Sequence, residues 1–282
     1  MLGDPAFDKL FGDAVMVLRP YLNDIICIGG CANALYRHHD LASSPTPAYL
    51  GTKDSDWAVP VRLAKRTAEP LAELMKKADF VEDIRGSATE PVVKYRPKDD
   101  AMAAEIEFLC PLSGAPGGRR KETASVEVQA GLMAQPLRYL EILTRNPWQV
   151  DLGKAPEFPG FKGVQVRVPN PAAYVVQKVL IRDQRRKNES KAKDCYYMYE
   201  VSVVFRDNLT ALEQEYEKLQ DLPVPWLKRY SKNVRALFAD EHAAGATSAL
   251  DVYEGSGIAG PRITADMIQR AVAKMLDAMG AP

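Results

Sequence analysis

Cysteine is scarce in this sequence, and its few positions do not have the spacing of a metal finger. The chain of 282 residues contains four cysteines, Cys27, Cys31, Cys110 and Cys195. Their intervals do not match those of paired zinc ligands. Cys27 and Cys31 flank a glycine pair, where small core residues are expected. We therefore expect reduced thiols in a cytoplasmic protein, and not a disulfide-rich secreted domain.

Net charge and long apolar runs are also missing. Basic and acidic residues number 37 each, so the formal net charge is +0 at pH 7, and any electropositive site must be local. No apolar run reaches the roughly 20 residues that a membrane-spanning helix needs, and no signal-peptide pattern is present. We therefore expect no membrane insertion, and the 46% hydrophobic and 26% charged content is typical of a globular protein.

The sequence does contain a strand–glycine series near its start. A short apolar run from Ile25 to Ile28 predicts a buried strand, and it ends in Gly29 and Gly30. Glycines at the start of a helix leave backbone N–H groups that a phosphate can approach without meeting a side chain. This turn therefore predicts a phosphate-binding position.

Two carboxylates follow in the stretch TKDSDWAV, residues 52–59. Because side chains alternate along a strand, Asp54 and Asp56 share one face and lie about 6–7 Å apart along the chain. Such a pair suits Mg²⁺ (or Mn²⁺), which binds one or two carboxylates together with substrate phosphates. The glycine turn and this strand together predict a site for phosphoryl or nucleotidyl transfer.

A third carboxylate is expected on a later strand, predicted over Met102–Leu109. Glu105 and Glu107 alternate there with apolar residues and therefore lie on one face. The alternation does not choose between them. The alternative is that both are solvated residues on an exposed sheet face.

The order of these motifs resembles the DNA-polymerase-β-type nucleotidyltransferase superfamily. There, a Gly-Gly or Gly-Ser turn precedes an Asp-x-Asp strand, and a third acidic residue lies on a later strand. The similarity is strongest to bacterial proteins near the AbiEii-like type IV toxins, and it covers roughly residues 25–205. It favours Glu107 over Glu105, because Glu-Phe-Leu followed by Pro-Leu is similar to the acidic segment of these relatives.

One departure from the family pattern concerns spacing. About 23 residues separate Gly30 from Asp54, roughly twice the spacing usual in the superfamily, and the extra length lies in residues 38–47, which are rich in turn formers. We expect this stretch to be either a lid or an insertion.

A second constellation is a basic cluster between Arg182 and Lys193, where six basic residues accompany two acidic ones. On a helix, Lys178, Arg182 and Arg185 form one stripe. We expect Lys178, Arg182 and Lys193 to contact the bound triphosphate, since cations neutralise charge on the phosphate oxygens during transfer. An exposed inter-helix loop or a nucleic-acid contact is the alternative.

The resemblance extends to this segment, because the relatives carry a Lys-rich helix, a polar loop and then Lys-Asp at the head of another helix. Asp194 either holds a neighbouring lysine in place or is an N-terminal helix residue favoured by the macrodipole. The catalytic residues implied are Asp54, Asp56, Glu107, Lys178, Lys193 and Asp194. The metal ligands implied are Asp54, Asp56 and Glu107. The nucleotide-binding residues implied are Gly29, Gly30, Thr52, Lys178, Arg182 and Lys193.

These patterns predict an α+β protein of two domains. Residues 1–135 are expected to form a nucleotidyltransferase-fold mixed sheet flanked by helices, and residues 136–282 a mainly helical domain. Helices are predicted over Pro5–Leu22, Cys31–His39, Val61–Ala78, Leu137–Leu143, Pro171–Arg182, Lys191–Phe205, Ala211–Asp221, Trp226–Glu241 and Ala265–Met279. Strands are predicted over Ile25–Ile28, Asp54–Val59, Phe80–Ile84, Pro91–Tyr95, Met102–Leu109 and Gly163–Pro169, with Trp148–Lys162 irregular.

The function predicted is Mg²⁺-dependent transfer of an NMP from an NTP, ATP included, to RNA, protein or a small molecule. One alternative is a type IV toxin-like enzyme of a toxin–antitoxin pair that modifies tRNA or a protein. A second is a nucleotide- or nucleic-acid-binding module of the same fold without catalysis, since fold does not fix function. A third is phosphotransfer of the kinase type.

Overall fold

The chain forms two compact units that are interleaved along the sequence. The first comprises Met1–Leu35 and Gly51–Val168, and the second comprises Tyr36–Leu50 and Pro169–Pro282. The predicted boundary between residues 135 and 136 falls inside the first unit. The structure, a computed structural model, describes residues 5–45, 50–87, 90–99, 105–112, 125–185, 187–258 and 260–281.

The first unit contains the mixed sheet. Its helices in the described ranges are α1 (Pro5–Leu18), α2 (Gly29–Leu35), α3 (Leu71–Lys77) and α4 (Leu140–Leu143). Its strands there are β1 (Ile26–Ile28), β2 (Asp54–Ala58), β3 (Phe80–Ser87), β4 (Glu90–Pro97), β5 (Glu105–Pro111), β6 (Val126–Gln129), β7 (Leu132–Leu137), β8 (Trp148–Asp151) and β9 (Gln165–Val168).

In the part of the chain that the structure describes, seven strands build the main sheet, in the order β1-β2-β5-β4-β3, with β7 also on β5 and β6 on β7. The pairs β2–β5 and β5–β7 are parallel, and the others are antiparallel. Strands β8 and β9 form a separate antiparallel pair. The mixed sheet predicted from the sequence is therefore confirmed.

Strand alternation decides which face of the central strands is buried. Trp57 on β2 and Ile106 and Phe108 on β5 are fully buried, and Phe11 of α1 stacks on Trp57 at 6.0 Å between ring centroids. Aromatic side chains bury large areas and dominate such a core. The intervening residues of β2 and β5 therefore lie on the opposite face of the sheet, which holds the candidate site.

The second unit is helical in its described part. Its helices there are α5 (Pro171–Arg182), α6 (Asn188–Val204), α7 (Leu209–Glu217), α8 (Val224–Leu237), α9 (Ala244–Gly255) and α10 (Ala265–Ala278). Helix α6 packs against α5, α9 and α10. The Asn170 side chain accepts a 2.8 Å hydrogen bond from Ala173 N and Pro171 begins α5, which is a favourable cap. The α+β class is confirmed.

Several element predictions need correction. The helix predicted over Val61–Ala78 is present only as Leu71–Lys77, because Pro70 precedes it and a residue before proline avoids the helical region. The stretch Trp148–Lys162, predicted irregular, begins with β8. Helix α9 was not predicted. Residues 102–104 of the predicted third-carboxylate strand lie outside the described residues.

The segment after the glycines, Tyr36–Leu50, belongs to the helical unit. Ser43 N donates to Val204 O at 2.7 Å, Asn208 Nδ2 donates to Leu41 O at 2.8 Å, and Leu50 N donates to Glu200 Oε1 at 3.0 Å. These bonds fix residues on both sides of positions 46–49, which lie outside the described ranges. The described residues on both sides of positions 46–49 are thus held by hydrogen bonds to helix α6 and to the turn that follows it.

No helix in the described part of the chain combines the length and the apolar character needed to cross a bilayer.

Candidate active site

The glycine turn lies directly beside the carboxylate strand. Gly29 has a φ of +64°, and β1 pairs with β2 so that Ile28 is opposite Asp56. A Cβ built on Gly29 would overlap Asp56 Oδ2 and lie 3.1 Å from Asp56 Cγ. Glycine is therefore required here for its backbone conformation and for the close approach of a carboxylate. Gly30 follows as the second residue of α2 and is buried.

Four carboxylates share one face of the paired strands β2 and β5. The two strands run parallel, with Asp54 opposite Glu105 and Asp56 opposite Glu107. Asp54 is exposed, and the other three are partly exposed. The register therefore brings the three sequence-predicted carboxylates to one face, together with Glu105.

Glu105 is paired with two cations from the neighbouring strands. Lys94 Nζ of β4 lies 2.8 Å from Glu105 Oε2, and the Arg85 guanidinium of β3 donates to Glu105 Oε1. Burial acts to raise the pKa of Glu105, but the ion pairs with Lys94 and Arg85 outweigh it and lower that pKa below its ordinary value. Glu105 is thus held in its charged form by these two cations.

Glu107 has a different environment. Burial raises its pKa above the ordinary value, Lys94 acts in the opposite direction, and the negative charge of Asp54 raises it further. Lys94 Nζ lies 3.6 Å from Glu107 Oε2. Burial acts to lower the pKa of Lys94, but the surrounding carboxylates, Glu107 foremost, outweigh it and raise that pKa.

Thr52 lies at the start of the carboxylate strand. Its hydroxyl donates to Asp54 O at 3.1 Å and is 3.3 Å from Asp54 N, within hydrogen-bond distance. On the other side, the Cys31 thiol donates to Asp54 O at 3.4 Å. Both contacts fix the backbone of Asp54 and leave its carboxylate exposed.

In the helical unit, Lys178 and Asp194 form a buried ion pair. Lys178 Nζ is 3.1 Å from Asp194 Oδ1, and the two side chains are 6% and 2% exposed. The ammonium also lies 5.1 Å from the ring centroids of Tyr174 and Tyr197, at cation–π distance. Arg185 Nε approaches the other oxygen, Asp194 Oδ2, at 3.3 Å. Asp194 therefore holds Lys178 in place.

The remaining basic residues have different exposures. Lys193 is exposed, whereas Arg182 is partly buried, and the Arg182 Nε is buried without a hydrogen-bond partner among the described residues. Helix α6 begins at Asn188 and not at the predicted Lys191, so Lys193 and Asp194 lie in its second turn and do not open it. Glu189 occupies the first turn, where the macrodipole favours an acidic residue.

The family described as nucleotidyltransferase matches residues 17–221 of the chain. The chain belongs to this nucleotidyltransferase family. The match covers the glycine turn, the carboxylate strands and the Lys178–Asp194 pair, and it implies nucleotidyl transfer with a nucleotide as substrate. No curated protein matches the chain.

The carboxylate face of this nucleotidyltransferase has the donor chemistry of a divalent-cation site. Asp54, Asp56 and Glu107 offer the oxygen ligands that Mg²⁺ and Mn²⁺ prefer. However, among the described residues no group of three or more His, Cys, Asp or Glu is gathered to hold a metal ion. Glu107 instead lies beside Lys94.

Sequence reasoning missed Lys94 and Arg85, which bind the carboxylates of this nucleotidyltransferase. The sequence did contain a signal for Lys94, because it lies between two apolar residues, Val93 and Tyr95. Both of them are buried in the structure. Strand alternation therefore predicts Lys94 on the polar face. What the sequence did not provide is the strand order that makes β4 a neighbour of β5.

Proposed function

We propose that this nucleotidyltransferase moves an NMP from an NTP, with Mg²⁺ or Mn²⁺, to an acceptor that carries a nucleophilic hydroxyl. The observation that carries the proposal is the register of β2 and β5, which brings Asp54, Asp56 and Glu107 to one face. The family membership of the chain supports the same chemistry.

In this proposal the first unit binds the ion and the phosphates. Asp54 and Asp56 from β2 and Glu107 from β5 would hold the divalent cation. When bound, such a cation offsets the negative charge on the attacking and leaving oxygens of an in-line displacement. The glycine turn would seat the triphosphate, because glycines at the start of a helix present no side chain to it, and the Thr52 hydroxyl holds the backbone of Asp54.

In the helical unit, Lys178, Arg182 and Lys193 are proposed as phosphate-binding residues. Lys178 is held by Asp194 and by two tyrosine rings, so its ammonium is fixed in one position before the nucleotide binds. A preorganised cation loses little freedom on binding and stabilises developing charge more than a mobile one. The exposed Lys193 and the partly buried Arg182 lie on the same pair of helices.

One observation favours RNA as the acceptor. Helix α8 carries four basic residues and no acidic residue, and Lys228, Lys232 and Arg235 are exposed at i, i+4 and i+7 spacing. Arg229 of α8 forms a 3.1 Å ion pair with Asp183. Asp183 lies at the end of α5, next to the basic segment that connects α5 to α6. A local basic surface on a neutral chain is typical of phosphate-backbone binding.

The proposal is tested by incubating the protein with each α-³²P-labelled NTP, Mg²⁺, and either total cellular RNA or total cellular protein. We expect label to enter the RNA pool and expect Asp54→Ala combined with Asp56→Ala to abolish the transfer. Asp13→Ala, an exposed carboxylate on α1, is the matched control and should transfer normally. Unchanged transfer by the double variant would refute the site. Label in protein alone would refute RNA as the acceptor.

The type IV toxin-like alternative uses the same site and differs in its biological effect. It predicts that expression of the wild-type chain arrests growth and that Asp54→Ala relieves the arrest. Growth unaffected by the wild-type chain, in cells where transfer is detected, would argue against this role.

A further inference from the structure

Lys94 lies beside the carboxylates that would bind the metal ion. Its Nζ lies 2.8 Å from Glu105 Oε2 and 3.6 Å from Glu107 Oε2, and its side chain is only 19% exposed. Glu105 has Arg85 as a second partner. Lys94 is therefore the one described cation of this group within ion-pair distance of both glutamates.

We propose that Lys94 is a positioning residue whose ammonium is the counter-charge of Glu107 until a divalent ion binds there. The inference rests on the proposed function, because it concerns the same carboxylate face. On this view the ion displaces the ammonium from Glu107, and Lys94 stays paired with Glu105. Glu105 is then an anchor for Lys94 and Arg85, and it does not bind the ion.

The geometry supports this division of the two glutamates. Glu105 has a cation on each oxygen, with Arg85 at Oε1 and Lys94 at Oε2. Glu107 lies opposite Asp56 in the register and has its contact with Lys94 at the longer distance. The weaker of two ion pairs is the one an entering cation breaks more readily, since Coulomb energy falls with distance.

The position of Lys94 affects how tightly the free protein binds a divalent ion. Without Lys94, four carboxylates on adjacent positions would repel one another and would attract a free ion strongly. With Lys94, the ion must compete with an existing ion pair, so the free protein binds it weakly. The site therefore binds the ion well only when nucleotide is also present, because the phosphates add negative charge that attracts the cation.

The chain offers a matched pair of variants for the test. Lys94→Met and Arg85→Met each remove one positive charge that contacts Glu105, but only Lys94 also reaches Glu107. Binding of Mn²⁺ without nucleotide is measured by titration, with free Mn²⁺ quantified from its electron paramagnetic resonance signal. Lys94→Gln is a second, more polar variant in case Lys94→Met does not fold, and circular dichroism checks each protein.

We expect Lys94→Met or Lys94→Gln to bind Mn²⁺ about tenfold more tightly than the wild type, and Arg85→Met to differ from it by less than about threefold. A purely structural role for Lys94 predicts equal or weaker binding in its variants. Equal or weaker binding, or an equal gain in Arg85→Met, would overturn the inference.

Failure of the inference differs from failure of the proposed function. If Asp54→Ala binds Mn²⁺ as tightly as the wild type, or if no variant binds it at all, the metal site itself is wrong. If Asp54→Ala abolishes Mn²⁺ binding while Lys94→Met leaves it unchanged, the metal site stands and only the role of Lys94 is refuted.

Discussion

At the scale of single residues, the candidate site depends on one position without a side chain. Gly29 combines a positive φ with a backbone so close to Asp56 that a methyl group would overlap the carboxylate. The glycine pair and the two aspartates were both evident in the sequence, because each has a local chemical reason. Their proximity was not, since it arises from the pairing of β1 with β2.

Gly29→Ala should reduce both stability and nucleotide binding. We expect a loss of about 1–3 kcal/mol in the free energy of unfolding, because alanine is strained at positive φ, and the methyl group must displace Asp56. Urea unfolding measures the first effect, and calorimetric titration with Mg²⁺ and a non-hydrolysable NTP analogue measures the second.

The control for this change is Gly160→Ala. A Cβ at Gly160 meets no atom within 4 Å, and its φ is not positive, so we expect a change within about 0.5 kcal/mol. Equal behaviour of the two variants would show that Gly29 has no special role.

At the scale of secondary-structure elements, pairing between elements decides which polar residues meet. Alternation predicted the shared face of Asp54 and Asp56. Helical spacing predicted a stripe of Lys178, Arg182 and Arg185, but α5 ends at Arg182, so Arg185 lies beyond the helix. The choice between Glu105 and Glu107 could not be made from alternation, because it depends on Arg85 and Lys94 of two other strands. The strand order that brings them there is a long-range property of the sheet.

Asp194→Asn should destabilise the packing of α6 on α5. It leaves the buried Lys178 ammonium without its carboxylate, and breaking a buried ion pair from one side costs about 3–5 kcal/mol. Chemical denaturation measures the loss. Lys193→Met, one residue away but exposed, should change stability by less than about 0.5 kcal/mol.

A second change on the Asp194→Asn background separates pairing from simple packing. Lys178→Met removes the uncompensated charge, so the double variant should be more stable than Asp194→Asn alone. A double variant as unstable as the sum of the two single variants would contradict a direct interaction between the two side chains.

At the scale of the whole molecule, the chain passes between its two units at residues 35/36, 50/51 and 168/169. The sequence-based boundary at 135/136 rested on the change to helical patterns. It did not take account of β8, β9 and α4, which belong to the first unit. Strand β9 packs beside β1, and α4 packs on β5, so these late elements cover strands of the site.

A fragment of residues 1–135 should therefore fold poorly. It lacks Val150, Val166 and Val168, all buried in the first unit, and it exposes the apolar surface that they cover. The matched fragment, residues 1–168, retains every element of that unit. We expect a cooperative thermal transition for 1–168 and none for 1–135. A cooperative transition for 1–135 at the same temperature would support the sequence-based boundary at 135/136.

The central claim is that carboxylates from two strands support transfer at the α-phosphate of an NTP. The most direct measurement compares α-³²P- and γ-³²P-labelled NTPs, incubated with the wild-type protein, Mg²⁺ and cellular RNA. The account predicts that the α label enters the acceptor while the γ label leaves as pyrophosphate. Entry of the γ label, or transfer that persists when Mg²⁺ is chelated, would contradict it.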